Sequence, residues 1–334
     1  MSGRSNALAR FVGAFALIGA ILAEPIHAAT RTIDVMSDSS PRSVRLFVPD
    51  KAAPKSGWPA LLILHGGGGN ISSIVRTTAF DELAEREGFV AVYPAGTGPI
   101  PNRLLTWNAG DCCGPAARHD VDDVSFIRTV IDTVVTEYRV DAKRVYVTGY
   151  SNGAMMAYRL GCALGDRIAA IAPVGGTIVY APCTGNRRVP LLQIHGTADQ
   201  CVRFGGGLCG GCLQRILRAA GREPGSDGIY ACRGVVPSVN QWAAANGCRM
   251  TKKLVRRRGA ARCEQYQGCD SDVELCSVTG GGHLWPGRTA PFRICERNPN
   301  GPVCQTWGEV MGPMTTDLRA TDVVWEFVRK YKLP

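Results

Sequence analysis

The chain alternates between short, wholly apolar runs and longer segments of helical periodicity. Residues 31–49 alternate apolar and polar positions and close on Val-Arg-Leu-Phe-Val-Pro, which predicts an opening strand pair. Ala60–Leu64 is a continuous apolar run, the mark of a strand buried on both faces, and it stops at His65 and four glycines. The pattern then predicts a helix over 71–87 ended by Gly88, a strand over Phe89–Tyr93, and a Gly/Pro/Asn-rich loop over 94–117. A helix follows from Asp120 to about Tyr138, with Asp120, Asp122 and Asp123 at the positive end of its dipole. Arg144–Gly149 reads as a strand, 152–163 as a helix, and Ile168–Val174, Leu191–His195 and Val273–Val278 as further buried strands. Pro237–Ala245 and Thr321–Tyr331 read as helices, the latter amphipathic. Apolar strands alternating with helices predict an α/β fold, a mostly parallel sheet covered by helices on both faces.

Composition adds the compartment. Arg4 and Arg10 precede an uncharged apolar stretch, Phe11–Ala23, too short to span a bilayer comfortably, and Ile26-His27-Ala28 ends on a small residue. The expectation is a signal peptide over 1–28, a single catalytic domain over 29–334, and secretion to the periplasm or outside the cell, with no membrane attachment after cleavage. The sequence holds 14 Cys, an even number behind a signal segment, which favours disulfides over metal. Cys209-Gly210-Gly211-Cys212 has C-x-x-C spacing, but no second pair completes a zinc set, and no metal is expected. Cys162 with Cys183 and Cys295 with Cys304 each enclose a short loop and are the local pairing candidates. The formal net charge is +10, and seven Lys or Arg with no acid fall within Arg249–Arg262. That run reads as a solvated face, with an anionic polymer as its functional alternative. No nucleic-acid motif accompanies it.

The chemistry concentrates at Gly149-Tyr150-Ser151-Asn152-Gly153, a G-x-S-x-G between a predicted strand and a predicted helix. A tight strand-to-helix turn strains the central serine and lifts its hydroxyl clear, and the glycines remove side chains that would clash. A serine needs a base. In this topology the chain order is Ser, acid, His, which passes over His65, His119 and His195 and leaves His283, in Gly280-Gly281-Gly282-His283 after the last predicted strand. Asp199 is the first carboxylate past the strand Leu191–His195 and is the expected acid, with Asp227 and Asp270 as fallbacks. The glycine run after Leu64 lacks G-x-G-x-x-G spacing and a P-loop lysine, so it reads as an oxyanion loop. Gly67 and Asn152 are the expected amide donors. Trp107, Tyr150 and Trp285 flank the site in sequence and are candidate substrate contacts, with core packing as the alternative for each.

With those motifs in order, the chain resembles the polyhydroxybutyrate depolymerase-like secreted esterases, relatives of the feruloyl and acetylxylan esterases of carbohydrate esterase family 1. The resemblance covers about 31–200 and 237–334. It rests on Leu-His-Gly-Gly-Gly-Gly-Asn at 64–70, Phe-Asp-Glu-Leu-Ala at 80–84, Val-Asp-Asp-Val-Ser-Phe at 121–126, Gly-Tyr-Ser-Asn-Gly-Ala-Met-Met at 149–156 and Gly-Gly-Gly-His-Leu-Trp-Pro-Gly at 280–287. It implies an α/β-hydrolase fold and a serine carboxylic-ester hydrolase that works through an acyl-enzyme without a cofactor. The implied triad is Ser151, Asp199 and His283, and the implied substrates are polyesters, oligoesters or plant cell-wall esters. It also implies a disulfide between Cys248 and Cys269. The alternatives are an acyltransferase or a non-catalytic binding protein on the same fold. The chain departs from the family in a Cys/Gly-rich insertion at 201–236, which begins two residues after the expected acid. A disulfide-stapled wall of the cleft and a surface decoration are the two readings of that insertion.

Overall fold

A computed structural model describes residues 29–37, 40–180, 187–221, 229–288, 295 and 297–334. Two antiparallel strands open the chain, β1 (Ala29–Ser37) and β2 (Ser40–Val48), paired from Ala29↔Val48 to Ser37↔Ser40. The buried strand β3 (Trp58–Leu64) follows, with all seven residues inside, then α1 (Ile71–Thr78), α2 (Phe80–Glu87) and β4 (Val90–Pro94). After α3 (Gly114–Arg118) and α4 (Asp123–Glu137) come β5 (Val140–Tyr150), α5 (Asn152–Ala163), β6 (Ala170–Val174) and β7 (Leu191–Gly196). The insertion contains β8 (Gly207–Cys209), α6 (Gly211–Ala219) and β9 (Tyr230–Cys232). The chain ends on α7 (Val235–Ala245), β10 (Arg249–Arg258), β11 (Ala261–Gln267), β12 (Val273–Val278), α8 (Pro302–Met311) and α9 (Ala320–Val328).

Ten strands form one sheet in the order β1-β2-β4-β3-β5-β6-β7-β12-β11-β10. The six from β4 to β12 run parallel, and an antiparallel pair closes each end. Helices cover both faces. One core holds Phe126, Ile131, Tyr158 and Trp242, and the other holds Phe80, Phe89, Trp285 and Trp325, so the central strands bury their side chains both ways. This is the expected α/β-hydrolase arrangement.

The structure departs from the sequence reading in several places. The helix expected over 71–87 breaks at Ala79, which sits in the left-handed region (φ 50°) and donates to Val75 O. The break turns Phe80 into the core, where its ring meets Phe89 and Trp285 edge-on. The helix expected from Asp120 begins instead at Asp123, with the Asp122 carboxylate accepting from Ser125 N at 3.0 Å. The basic run is a strand: β10 pairs with β11 at the sheet edge, and all ten of its residues are exposed. The stretch between His283 and the closing helix, assigned no element from sequence, carries α8.

Every described cysteine is disulfide-bonded. The bonds Cys295–Cys304 and Cys248–Cys269 are present, together with Cys112–Cys113, Cys201–Cys212, Cys209–Cys232 and Cys263–Cys276. Cys162 is bonded, while Cys183, like Asp227 and the expected signal segment 1–28, lies outside the described residues.

Candidate active site

Ser151 stands at the turn from β5 into α5 with φ 56° and ψ −117°, a strained conformation for a residue with a side chain. The residues two before and two after it must be glycine. A Cβ on Gly149 would strike the Gly153 carbonyl, and one on Gly153 would lie 2.5 Å from both Leu64 O and His65 O. Ser151 N donates to Val174 O (2.9 Å), which ties the turn to β6.

The structure brings Ser151, Asp199 and His283 together. His283 Nε2 lies 2.9 Å from Ser151 Oγ, and His283 Nδ1 lies 2.7 Å from Asp199 Oδ2. The loop after β12 reaches across because Gly281 and Gly282 allow close packing: a Cβ on Gly282 would collide with Met311 O. Asp199 Oδ1 accepts from the backbone of Cys201 (2.8 Å) and Val202 (2.7 Å). Oδ2 also meets His195 Nε2 at 3.1 Å. Burial alone would raise the Asp199 carboxyl, but His283 and His195 outweigh it and hold it below the usual carboxylate range. His195, which the chain order excludes as the base, therefore helps fix the acid, with its Nε2 also at 2.8 Å from Val202 O. Asp270 is exposed and pairs with Arg188, which places it outside this constellation.

Gly67 and Asn152 lie side by side, since a Cβ on Gly67 would sit 3.4 Å from Asn152 Cβ. Among the described residues the Gly67 amide donates to no acceptor, and the Asn152 amide opens α5, where helix geometry provides none. The Asn152 side chain is fully engaged. Its Oδ1 accepts from Trp107 N (2.7 Å) and its Nδ2 donates to Trp107 O (3.0 Å), so it clamps a loop as a neighbouring strand would. Behind the clamp, Asp123 accepts from Asn108 N (2.7 Å) and pairs with buried Arg42 (2.7 Å), whose guanidinium covers the Phe126 ring. That is the structural use of the motif at 121–126.

His65 is fully buried and shapes the glycine loop. Its Nε2 accepts from Gly96 N (2.9 Å), which leaves the proton on Nδ1 to donate to Gly66 O (2.9 Å). Burial lowers its pKa from 6.5 to about 4, so it remains neutral.

Ser151 opens onto a cleft of about 490 Å³ with a mostly apolar lining. Tyr150 lines it. The Tyr150 hydroxyl donates to His283 O (2.5 Å) and its ring lies 5.0 Å from the imidazole. Burial, with a smaller push from Asp199, drives the Tyr150 hydroxyl well up, so it keeps its proton. Trp107 and Trp285, candidate substrate contacts by sequence, are corrected by the structure. Trp107 is fully buried, donates from Nε1 to His65 O (3.0 Å), and supports the glycine loop from behind. Trp285 packs on Phe80 and donates to Thr321 Oγ1 (2.9 Å), on the far side of its loop. Neither lines the cleft. The insertion does line it, through Cys201, Val202, Cys209, Ile216 and Leu217, and α8 adds Trp307 and Met311. Sequence reasoning missed the cleft positions of Cys112, Cys113, Met155 and Tyr230. The adjacent cysteines were the one available signal.

Comparison with known proteins agrees with this architecture. Residues 42–184 match the family model described as Esterase PHB depolymerase. The chain is 32% identical over 290 residues to the putative esterase NocK of Nocardia uniformis subsp. tsuyamanensis, covering 80% of this chain and 78% of that one. It is 31% identical over 245 residues to feruloyl esterase B of Piromyces equi, covering 71% of this chain but only 40% of the relative's length. Among solved structures, acetyl xylan esterase from Aspergillus awamori superposes with a TM-score of 0.55 at 15% identity, over 82% of this chain and 98% of that one. By sequence, fold and the disposition of its glycine-flanked serine, the chain belongs to the esterase PHB depolymerase family of α/β-hydrolases.

Proposed function

We propose that this protein is a serine carboxylic-ester hydrolase. The observation that carries the proposal is the unbroken hydrogen-bonded line Ser151 Oγ–His283–Asp199 at 2.9 and 2.7 Å, built on a strained turn. His283 Nε2 takes the proton of Ser151 as Oγ attacks the ester carbonyl. The amides of Gly67 and Asn152 receive the negative charge that develops on the carbonyl oxygen. His283 then protonates the departing alcohol, leaving an acyl group on Ser151, and water activated by the same imidazole releases the acid. Asp199 keeps the proton of neutral His283 on Nδ1 and balances the imidazolium when it forms. These steps use side chains and amides of the chain together with one water molecule.

The substrate class follows from the relatives: polyesters or oligoesters, as the family model's description suggests, or plant cell-wall esters such as feruloyl and acetylxylan esters, as the named relatives suggest. An exported enzyme is supported by the six disulfides among the described residues. Ser151→Ala tests the reading. Hydrolysis of p-nitrophenyl butyrate should fall by roughly a thousandfold or more with the fold intact. Retention of most of the activity would refute it.

A further inference from the structure

The sheet ends on a strand whose composition ester hydrolysis does not explain. β10 holds six Arg or Lys and no acid, all ten of its residues are exposed, and Arg262 on β11 adds a seventh cation. Arg256 meets Glu326 at 2.5 Å and Arg262 meets Glu264 at 2.7 Å. Among the described residues, Arg249, Lys252, Lys253, Arg257 and Arg258 meet no carboxylate. Their mutual repulsion falls when an anion lies across them.

Three features define that anion. Side chains opposed across the β10–β11 ladder share a face. Lys252 and Arg257 therefore stand with Tyr266 and Arg262 on one face, and Lys253, Arg256 and Arg258 with Gln265, Cys263 and Ala261 on the other. A flat membrane engages one such row and turns the other away, whereas a chain lying along the edge reaches both. Next, the uncharged residues between the cations are largely apolar and open: Met250 is 52% exposed, Leu254 41% and Val255 43%. They suit the C–H faces of sugar rings, and no aromatic residue lies on β10 to stack a nucleic-acid base. Finally, β10 is the last strand of the sheet, so its outer carbonyls are open to hydrogen-bond donors. Sugar hydroxyls donate, whereas the ionised phosphates of nucleic acid or lipid only accept.

The strand also reaches the catalytic edge of the sheet. Arg258 is opposite Ala261, Ala261 opposite Val278, and Val278 level with Gly196. The cationic end of β10 thus lies at the same edge as the loops that carry Asp199 and His283. Thr279 N donates to Ala260 O (2.9 Å), which ties the β10–β11 turn to the start of the His283 loop. Five strand spacings of about 4.8 Å, about 24 Å in all, separate β10 from β5. We propose that β10 binds an acidic polysaccharide, its Arg and Lys side chains pairing with uronate carboxylates along the polymer, at a site separate from the cleft. The carboxylates recognised there are not the ester cut at Ser151, and the inference does not depend on which ester the cleft accepts.

The test measures binding of the protein to polygalacturonate by calorimetry at low salt, beside neutral dextran, a single-stranded oligonucleotide and phosphatidylglycerol vesicles. Polygalacturonate should bind most tightly of the four, and dextran not detectably. Raising salt from about 20 to about 200 mM should weaken the binding about tenfold or more. Lys253→Gln/Arg257→Gln/Arg258→Gln should weaken it about tenfold, with p-nitrophenyl butyrate kinetics unchanged. Lys252→Gln/Lys253→Gln, expected to bind about threefold more weakly, serves where the triple variant fails to fold. The proposal is overturned by a wild type that does not bind polygalacturonate or binds dextran equally, by undiminished binding in the folded variants, by binding that salt leaves untouched, or by tighter binding of the oligonucleotide or the vesicles.

Discussion

Replacing Asp199 by asparagine preserves the shape of the site and should nevertheless disable it, for a reason written in four contacts. Oδ1 accepts from two backbone amides, Cys201 N at 2.8 Å and Val202 N at 2.7 Å, whereas Oδ2 faces His283 Nδ1 at 2.7 Å and His195 Nε2 at 3.1 Å. An asparagine must put its single oxygen on one side. With the oxygen toward the amides, its NH2 faces His283, which must then accept at Nδ1 and carry its proton on Nε2, where it cannot take the Ser151 proton. Turning the amide round would leave two buried N–H groups facing an NH2, at roughly 1–3 kcal/mol each. The useful arrangement is therefore disfavoured by about 2–6 kcal/mol, and the charge that balances the imidazolium is also lost. A fall in kcat of about ten-thousandfold is expected, equivalent to about 5.5 kcal/mol. The assay is p-nitrophenyl butyrate hydrolysis under saturating substrate, with circular dichroism and thermal melting to show that Asp199→Asn is folded. More than about a hundredth of the wild-type kcat in a folded variant would refute the tautomer argument.

Three further outcomes follow from the same geometry. His65 is held neutral with a pKa of about 4 against 6.5 when unfolded, so between those values the unfolded chain binds the extra proton. Stability from this residue is thus complete above pH 6.5 and is lost as pH falls toward 4, by about 3 kcal/mol. Urea unfolding should show that His65→Gln loses correspondingly less stability over that range; parallel profiles would contradict it. Gly153→Ala should destabilise the fold by at least about 2 kcal/mol, because its Cβ would meet two carbonyl oxygens at 2.5 Å, and a thermal melt matching wild type would exclude that clash. Replacing 203–231 with a short linker, with Cys201 and Cys232 changed to Ser, should shift the kcat/KM ratio between bulky and small esters about tenfold. An unmoved ratio in a folded enzyme would make the insertion a decoration.

Local signals make most of the site legible in the sequence. The strand–G-x-S-x-G–helix grammar and the glycine-rich approach to His283 are contiguous along the chain, and the order of serine, acid and histidine is read along it. What escapes depends on contacts between distant segments. Trp285 is two residues from His283, yet its side chain leaves on the opposite face to meet Phe80 and Thr321. Trp107 lies beside the site through its main chain, which no side-chain pattern reveals. The break at Ala79 escapes because alanine is the best helix former, and tertiary packing of Phe80 overrides that preference. Strand β10 escapes because it buries none of its ten residues and so carries no alternation.

That last strand has a consequence for how molecules meet in solution. An open sheet ends in a row of unpaired backbone groups, which invites a second copy to add its own strand. Six of the ten residues of β10 are Arg or Lys. Two copies approaching edge to edge would bring six cations against six across a strand spacing of about 4.8 Å, well inside the roughly 8 Å over which physiological salt screens charge. The repulsion works against such pairing, so a highly charged strand with no buried face disfavours the growth of a ten-stranded sheet into an eleventh.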